Sequence, residues 1–379
     1  MRSFRFPFAR VSPLLALIPL VAAALLLSAC GEGGGDAAGG ADEALTVYSG
    51  RSQPLVDGLV ERFEEQTDFD VEVRYGTDAQ LLSVMQEEGQ QSPADLYWAN
   101  TTGALAQARQ ANLLAQMPDS LTQQAAAFQP QSGRWSPVTT RFRTLAYNSE
   151  AVDTTALPPS VLELPELSQF EGRIGWTPTY SSFQDFVTAM RATHGADSTR
   201  TWLNQMQELN PKSYSSNTPM IQALADGEID LALTNHYYVL RLKHGGGEGE
   251  YEGEEEGEEE DEASEEEEAE EATRPGAPVE MYRFADGDVG NLALVTGASV
   301  MRQSDQPQQA QQFLQFLLSP EAQEFAAQQV NEYPVVEDAP VPEYMMPVDR
   351  ALSMSPQLQF DQLQNLDATL ELMREAGLM

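Results

Sequence analysis

The residues of this 379-residue chain best suited to site chemistry are tyrosines placed just beyond apolar stretches. Asn235-His236-Tyr237-Tyr238 follows Ile229–Leu233, and Tyr180 follows Arg173–Trp176. Both stretches read as strands, which puts three phenols at strand ends. A phenolate is a hard anionic oxygen ligand, and three would cancel the charge of a trivalent ion such as ferric iron. A free phenol keeps its proton up to pH ~10, so such binding displaces protons and strengthens as pH rises. Neighbours on a regular strand point to opposite faces. Tyr237 and Tyr238 therefore converge only if the backbone has already left the strand. Two half-buried aromatics at a strand end are the other reading of the same residues.

Little else points to catalysis. There is no metalloprotease helix motif, no Walker A loop and no nucleophile elbow. Three histidines, His194, His236 and His244, are too few for a histidine-rich metal site. Gly287–Gly290 has neither a strand before it nor a helix after it and reads as an ordinary turn. No enzymatic activity is expected.

The elements that must position the tyrosines alternate between strand and helix. Leu45–Tyr48, Val71–Tyr75 and Ala94–Ala99 read as strands. Between them, Ser52 caps a helix with the stripe Leu55, Leu59, Val60 and Phe63, and Thr77 opens one carrying Leu81, Leu82 and Met85. A further helix runs from Thr102 to about Leu114. A second set follows Val138–Tyr147: strand Arg173–Trp176, helices Ser181–Thr193 and Ser198–Leu209, a helix capped at Thr218-Pro219, and strand Ile229–Leu233. Tyr282–Phe284 and Leu292–Val295 return to strand character, ahead of helices Gln308–Leu318 and Glu321–Gln329. This rhythm predicts parallel α/β sheets, and two units of similar size predict a two-lobed clamshell. In such folds ligands bind beyond the carboxyl ends of strands, in the cleft between the lobes.

Charge and leader bound the setting. The net charge is −38, and removing a leader that carries Arg2, Arg5 and Arg10 takes it to −41. Such a chain repels nucleic acid and anionic membrane surfaces. Glu248–Glu271 holds 17 acidic residues and no basic one, so it cannot bury a core and is expected to be a disordered insertion. Outside that run acidic residues still outnumber basic ones, and Lys212 and Lys243 are the only lysines, a balance suited to high salt. Val11–Leu27 is apolar but broken by Pro13 and Pro19, as in a secretory signal. It ends in Leu27-Ser28-Ala29-Cys30, which resembles the lipobox of bacterial lipoproteins. Cys30 is the only cysteine, so no intramolecular disulfide forms and Cys30 is the expected lipidation site.

Taken in order, Tyr48-Ser-Gly-Arg51, Ser92-Pro-Ala-Asp95, Thr140-Arg-Phe-Arg143, Ala146-Tyr-Asn148, Gly172–Pro178, Ser216-Asn217, Asn235–Tyr238 and Glu332-Tyr-Pro334 resemble the periplasmic ferric-ion-binding proteins. These are the substrate-capturing components of bacterial iron(III) ABC importers. The resemblance spans roughly Leu45 to Leu378, apart from the acidic insertion. It implies an α/β periplasmic-binding-protein clamshell with a cleft between two α/β domains. Its boundaries would be signal 1–29, tether 30–43, lobe I 44–140 with 284–330 returning to it, and lobe II 141–283 with the insertion 245–273. Residues 331–379 would form C-terminal helices on lobe II. The family's paired tyrosines fall on Tyr237 and Tyr238, and its third, where present, on Tyr180. Some members add a histidine or tyrosine where this chain has Ser52 and Gln53, or a glutamate where it has Asn100. Both departures favour a three-tyrosine site completed by a small anion or water.

That anion, carbonate or phosphate by resemblance, would be held by Arg51, Ser52, Arg141, Arg143, Ser181, Ser182 and Asn217. Bidentate arginine suits planar oxyanions, and a helix opening at Ser181 presents free N–H groups. The implied cargo is Fe(3+), the implied partner a membrane permease, and a monomer anchored by lipid on the outer face of the membrane is expected. The same fold could instead take an organic anion such as a phosphonate, or a polyamine. A polyamine needs carboxylates in the cleft, and Asn100 stands where one would be. A surface cation-buffering role for the acidic run is the reading from another class of protein.

Overall fold

The computed structural model describes residues 44–125, 128, 130, 132–246, 273–337, 339–358, 363 and 365–379. The expected signal, lipidation site, tether and nearly all of the acidic insertion lie outside them. Among the described residues, no helix is long and apolar enough to cross a membrane.

One continuous hydrogen-bonded path of strands runs through both lobes. Strands β1 (Leu45–Ser49), β2 (Val71–Tyr75) and β3 (Leu96–Ala99) are parallel, with β1 between the other two. Next come β4 (Ser136–Asn148), β5 (Ile174–Trp176), β6 (Lys212–Ser213), β7 (Leu231–Asn235), β8 (Val279–Tyr282), β9 (Ala293–Val300) and β10 (Tyr333–Pro334). The order is β2-β1-β3-β9-β4-β7-β5-β6, with β8 and β10 also on β4. Strand β4, 13 residues long, makes the connection. Its first half pairs with β9 as far as Phe142, and its second half pairs with β7 from Arg143 onward. The sheet therefore changes partners between Phe142 and Arg143, at the point where the lobes join.

The strands at the centre of this path read as near-continuous apolar runs because both faces are covered. Leu96–Ala99, Leu231–Asn235 and Ala293–Val300 are buried at every position. In the second lobe the alternation along a strand is resolved into two cores. Leu145, Leu231 and Leu233 face Trp176, Phe183 and Trp202, whereas Ala146 and Ala232 face Met220, Ile229 and Val239. The first lobe has one core, from Leu45 and Val47 through Phe313 and Tyr333.

Helices follow the strands: α1 (Gln53–Gln66), α2 (Asp78–Glu88), α3 (Thr102–Gln110), α4 (Asp119–Thr122), α5 (Ser181–His194), α6 (Ala196–Glu208), α7 (Asn217–Ala225), α8 (His236–His244), α9 (Pro307–Leu317), α10 (Pro320–Gln329), α11 (Val348–Met354) and α12 (Leu366–Glu375). The stripe Leu55, Leu59, Val60 and Phe63 is buried on α1, and Thr77 with Gln80 forms a reciprocal cap on α2.

Several expectations shift. The last strand before the β9 arm is Val279–Tyr282 rather than Tyr282–Phe284, because Phe284 belongs to a turn closed by Asn291. The cap of α7 is Ser216, with Pro219 inside the first turn, where a missing N–H costs nothing. Phe284, Val289 and Leu292 pack in the second core, not the first. In the C-terminal segment α12 adds Leu372 and Met373 to the second core, whereas Tyr333 and Ala351 pack in the first.

Candidate metal and anion site

The β7–α8 junction decides the geometry of the tyrosines. Asn235 is extended and caps α8, so the helix begins at His236 and Tyr237 and Tyr238 occupy its second and third positions. The backbone has left the strand, and helical spacing lets the two rings meet, with centroids 4.2 Å apart at 32°. Arg241, one turn on, places its guanidinium 5.2 Å from each ring. The C-terminal turn carries Arg241, Lys243 and His244 and closes on Gly245 at φ +79, both favourable there. Tyr180, the residue before α5, brings its Oη within 3.0 Å of the Tyr238 Oη. All three predicted phenols are therefore brought together, Tyr237 and Tyr238 buried and Tyr180 half-buried.

The predicted arginines divide into two groups. Arg51 and Arg141 converge on Asn100 and Glu332 in the first lobe. Arg51 Nη2 lies 2.7 Å from Glu332 Oε1, and its Nη1 donates to Asn100 Oδ1. Arg141 donates to Asn100 Oδ1 and to the Asn100 carbonyl, both at 2.7 Å, and stands 3.6 Å from Glu332. The second Glu332 oxygen accepts from Thr139. Half-buried Asp78 braces this loop, accepting from Asn100 N at 3.0 Å and Thr101 Oγ1 at 2.9 Å, and desolvation raises its pKa. Ser52 caps α1 through backbone geometry alone.

Arg143 stands apart, with the tyrosines. Its Nη1 donates to Asn235 Oδ1 at 3.2 Å, while its Nη2 has no hydrogen-bond partner among the described residues. Burial pushes its guanidinium down to about 9, with the nearby Tyr237 and Tyr238 opposing that shift. Other buried donors without partners among the described residues are Thr177 Oγ1, Ser182 Oγ, Ser216 Oγ, Asn217 Nδ2 and Asn235 Nδ2. Asn217 is tied to this end of β7 by Thr234, whose hydroxyl donates to its Oδ1 at 3.1 Å. Helices α5, α7 and α8 all open here, and none has a side-chain cap. Buried donors are normally satisfied. Unpaired donors at three helix N-termini at the same end of the sheet as Arg143 are the kind of arrangement that can receive an oxyanion.

Ser181, Ser182 and Asn217 stood as candidate donors in the sequence, and Ser182 Oγ and Asn217 Nδ2 are among the unpaired atoms. Thr177, Ser216 and Asn235 were not, although Asn235 stood in the motif that named the tyrosines. Their role depends on helix starts whose positions only the folded chain fixes. Among the described residues no group of three or more His, Cys, Asp or Glu side chains could hold a metal ion. His236 itself is turned inward: Nδ1 accepts from Phe142 N–H at 3.1 Å and Nε2 lies 2.8 Å from the Asn331 carbonyl. Burial holds it neutral, with its pKa down to about 3.

Two α/β lobes joined by a long strand, with donors gathered at strand ends and helix N-termini, are the architecture of a solute-binding protein. The chain belongs to the bacterial extracellular solute-binding protein family, which its residues 58–349 match. It is 27% identical over 358 residues to the Fe(3+)-binding periplasmic protein of Serratia marcescens, covering 94% of this chain and 97% of that one. It is 26% identical over 294 residues to the major ferric iron-binding protein of Neisseria meningitidis serogroup B, covering 77% and 80%. Iron-bound HitA from Pseudomonas aeruginosa superimposes with a TM-score of 0.74 at 29% identity, over 88% of this chain and 99% of that one. The Trichodesmium protein solved with iron and citrate shares the fold, with a TM-score of 0.70 at 23% identity over 89% and 100%.

Proposed function

We propose that this chain is the extracytoplasmic iron(III)-binding component of an ABC importer, with Tyr180, Tyr237 and Tyr238 as phenolate ligands. The observation that carries the reading is the 3.0 Å approach of the Tyr180 and Tyr238 hydroxyls, beside the Tyr237 ring and Arg143. Three phenolates neutralise ferric iron, and a small oxyanion fills the positions they leave open on a hard cation. Carbonate or phosphate would be held by Arg143, Ser181, Ser182 and Asn217, extended by Asn235, with Arg51, Ser52 and Arg141 contributing from the first lobe. The names of the relatives support the cargo. The loaded protein then delivers iron to a membrane permease, and Cys30 carries the lipid that keeps it at the membrane.

Ferric iron added with bicarbonate or phosphate should produce a visible charge-transfer band that reduction bleaches. Tyr238→Phe should weaken iron binding by at least about tenfold without lowering the thermal midpoint, since only one ligating oxygen is lost. A colourless loaded protein, or a variant that binds normally, sinks the three-tyrosine site. Anion binding that is equally strong with and without iron would favour the organic-anion reading, in which the tyrosines are stacking surfaces. Cys30→Ser should move the protein from the membrane to the soluble fraction, and retention in membranes would refute the anchor.

A further inference from the structure

His236 is fully buried and uses both ring nitrogens on backbone groups from different parts of the chain. The first is the Phe142 N–H, which donates to Nδ1 at 3.1 Å. Phe142 sits between Arg141 and Arg143, where β4 leaves β9 and joins β7. A strand changing partners exposes a backbone donor that neither ladder takes up, and a buried donor must find an acceptor. The imidazole supplies it. Because Nδ1 accepts, Nε2 carries the proton and donates to the Asn331 carbonyl at 2.8 Å. The ring is thereby fixed in position and tautomer at the first residue of α8, one and two places before the paired tyrosines. Its plane stands at 87° to Tyr237, with centroids 5.9 Å apart, so a turn of the imidazole would displace that phenol.

Asn331 extends the connection. It adopts a left-handed conformation, φ +57, and its Nδ2 donates to the Gly245 carbonyl at 3.1 Å, at the far end of α8. The next residue is Glu332, whose carboxylate holds Arg51 at 2.7 Å and faces Arg141 at 3.6 Å. A single peptide step thus separates the carbonyl that accepts the histidine hydrogen bond from the carboxylate that binds the first-lobe arginines.

We propose that His236 is a positioning residue. It sets the orientation of the Tyr237–Tyr238 pair and, through Asn331-Glu332, ties that pair to the Arg51–Arg141 cluster. The role of the pair as ligands rests on the iron reading above; the orientation of the pair does not. Groups that orient ligands from behind typically contribute 10–100-fold to metal affinity, so loss of the imidazole should cost roughly that much.

The test compares His236→Phe, which keeps the ring bulk and loses both hydrogen bonds, with His236→Gln, which keeps an amide donor toward Asn331. His236→Phe should shift the charge-transfer band of the ferric, bicarbonate-loaded protein and weaken iron binding by roughly 10- to 100-fold. His236→Gln should recover most of both. In the iron-free proteins, the near-ultraviolet circular dichroism of tyrosine should change in His236→Phe and return toward the parent in His236→Gln. A folded His236→Phe protein with unchanged near-ultraviolet signal overturns the proposal, even if the parent never colours with iron. So does a variant whose thermal midpoint falls while band position and affinity stay as in the parent. If His236→Phe does not fold, His236→Leu is read in its place: a shifted band with weakened iron binding supports the proposal, and the parent's band and affinity overturn it.

Discussion

Asp185 is buried on α5 of the second lobe yet faces charges from elsewhere: Arg141 on β4 and Asp78 on α2 of the first lobe. A methyl group at Gly103, in the first turn of α3, would lie 3.7 Å from its Oδ1. Burial pushes the carboxyl up to about 7; Arg141 works against the shift and Asp78 adds to it. The folded state therefore holds this proton more tightly than the unfolded chain does. The associated stability is complete below the unfolded value near pH 4 and is lost as pH rises through about 7. Asp185→Asn keeps the neutral shape at every pH. Its thermal midpoint should exceed that of the parent by a few degrees at pH 8, with a smaller gain at pH 5 that vanishes only below about pH 4. An equal difference at both pH values would show that ionisation of Asp185 is not what costs stability. Sequence gave this residue no role, because an aspartate on a helix reads as solvated until the opposite lobe covers it.

At the scale of elements, the site is built by what begins where strands end. Strand β5 ends at Trp176 and delivers Thr177 and Tyr180, and it does so packed closely against α7. A Cβ on Gly175 would lie 2.6 Å from Ile229 Cδ1 and 2.9 Å from Met220 Cγ. Both neighbours are themselves buried, so they have little room to retreat. Gly175→Ala should therefore destabilise the protein by about 1–3 kcal/mol, read as a lower urea midpoint at unchanged slope. A midpoint equal to the parent's would mean that β5 and α7 separate freely. The strand was legible from its apolar run, and so was the helix opening at Ser181. The start of α8 was not: Ile229–Leu233 sets no signal for whether Asn235 extends the strand or caps a helix. That choice converts two opposed side chains into two neighbouring ones.

For the whole molecule, charge is the dominant sequence-level property. With a net charge of −38, self-repulsion opposes the compact state, and added salt screens it. The thermal midpoint should rise from low salt to about 1 M sodium chloride, where the screening length is only about 3 Å. The Arg51–Glu332 pair, with side chains 2% and 0% exposed, lies beyond the reach of that screening and should not offset the gain. Exposed pairs such as Arg350–Asp286 contribute little in either direction. A midpoint that falls with salt would show that surface ion pairs outweigh repulsion, and the acidity would then need another explanation.

By itself the sequence determined the alternation of strands and helices, the two-lobed α/β architecture and the tyrosines as the residues to follow. These are local quantities, set by hydrophobic period, caps and residue type. The resemblance of ordered motifs extended them to a class of protein, and the family match agrees. Only the tertiary structure decided that Arg51 and Arg141 share Asn100 and Glu332 while Arg143 stands with the phenols. It alone left the buried donors of Asn235, Ser216 and Thr177 without partners among the described residues. It also carried Tyr333 and Ala351 of the C-terminal segment into the first lobe's core. Each of these depends on contacts between residues tens to hundreds of positions apart, brought together where β4 changes partners between the lobes. No local pattern encodes that exchange, because Phe142 looks like any apolar strand residue until its N–H needs an acceptor and His236 provides one.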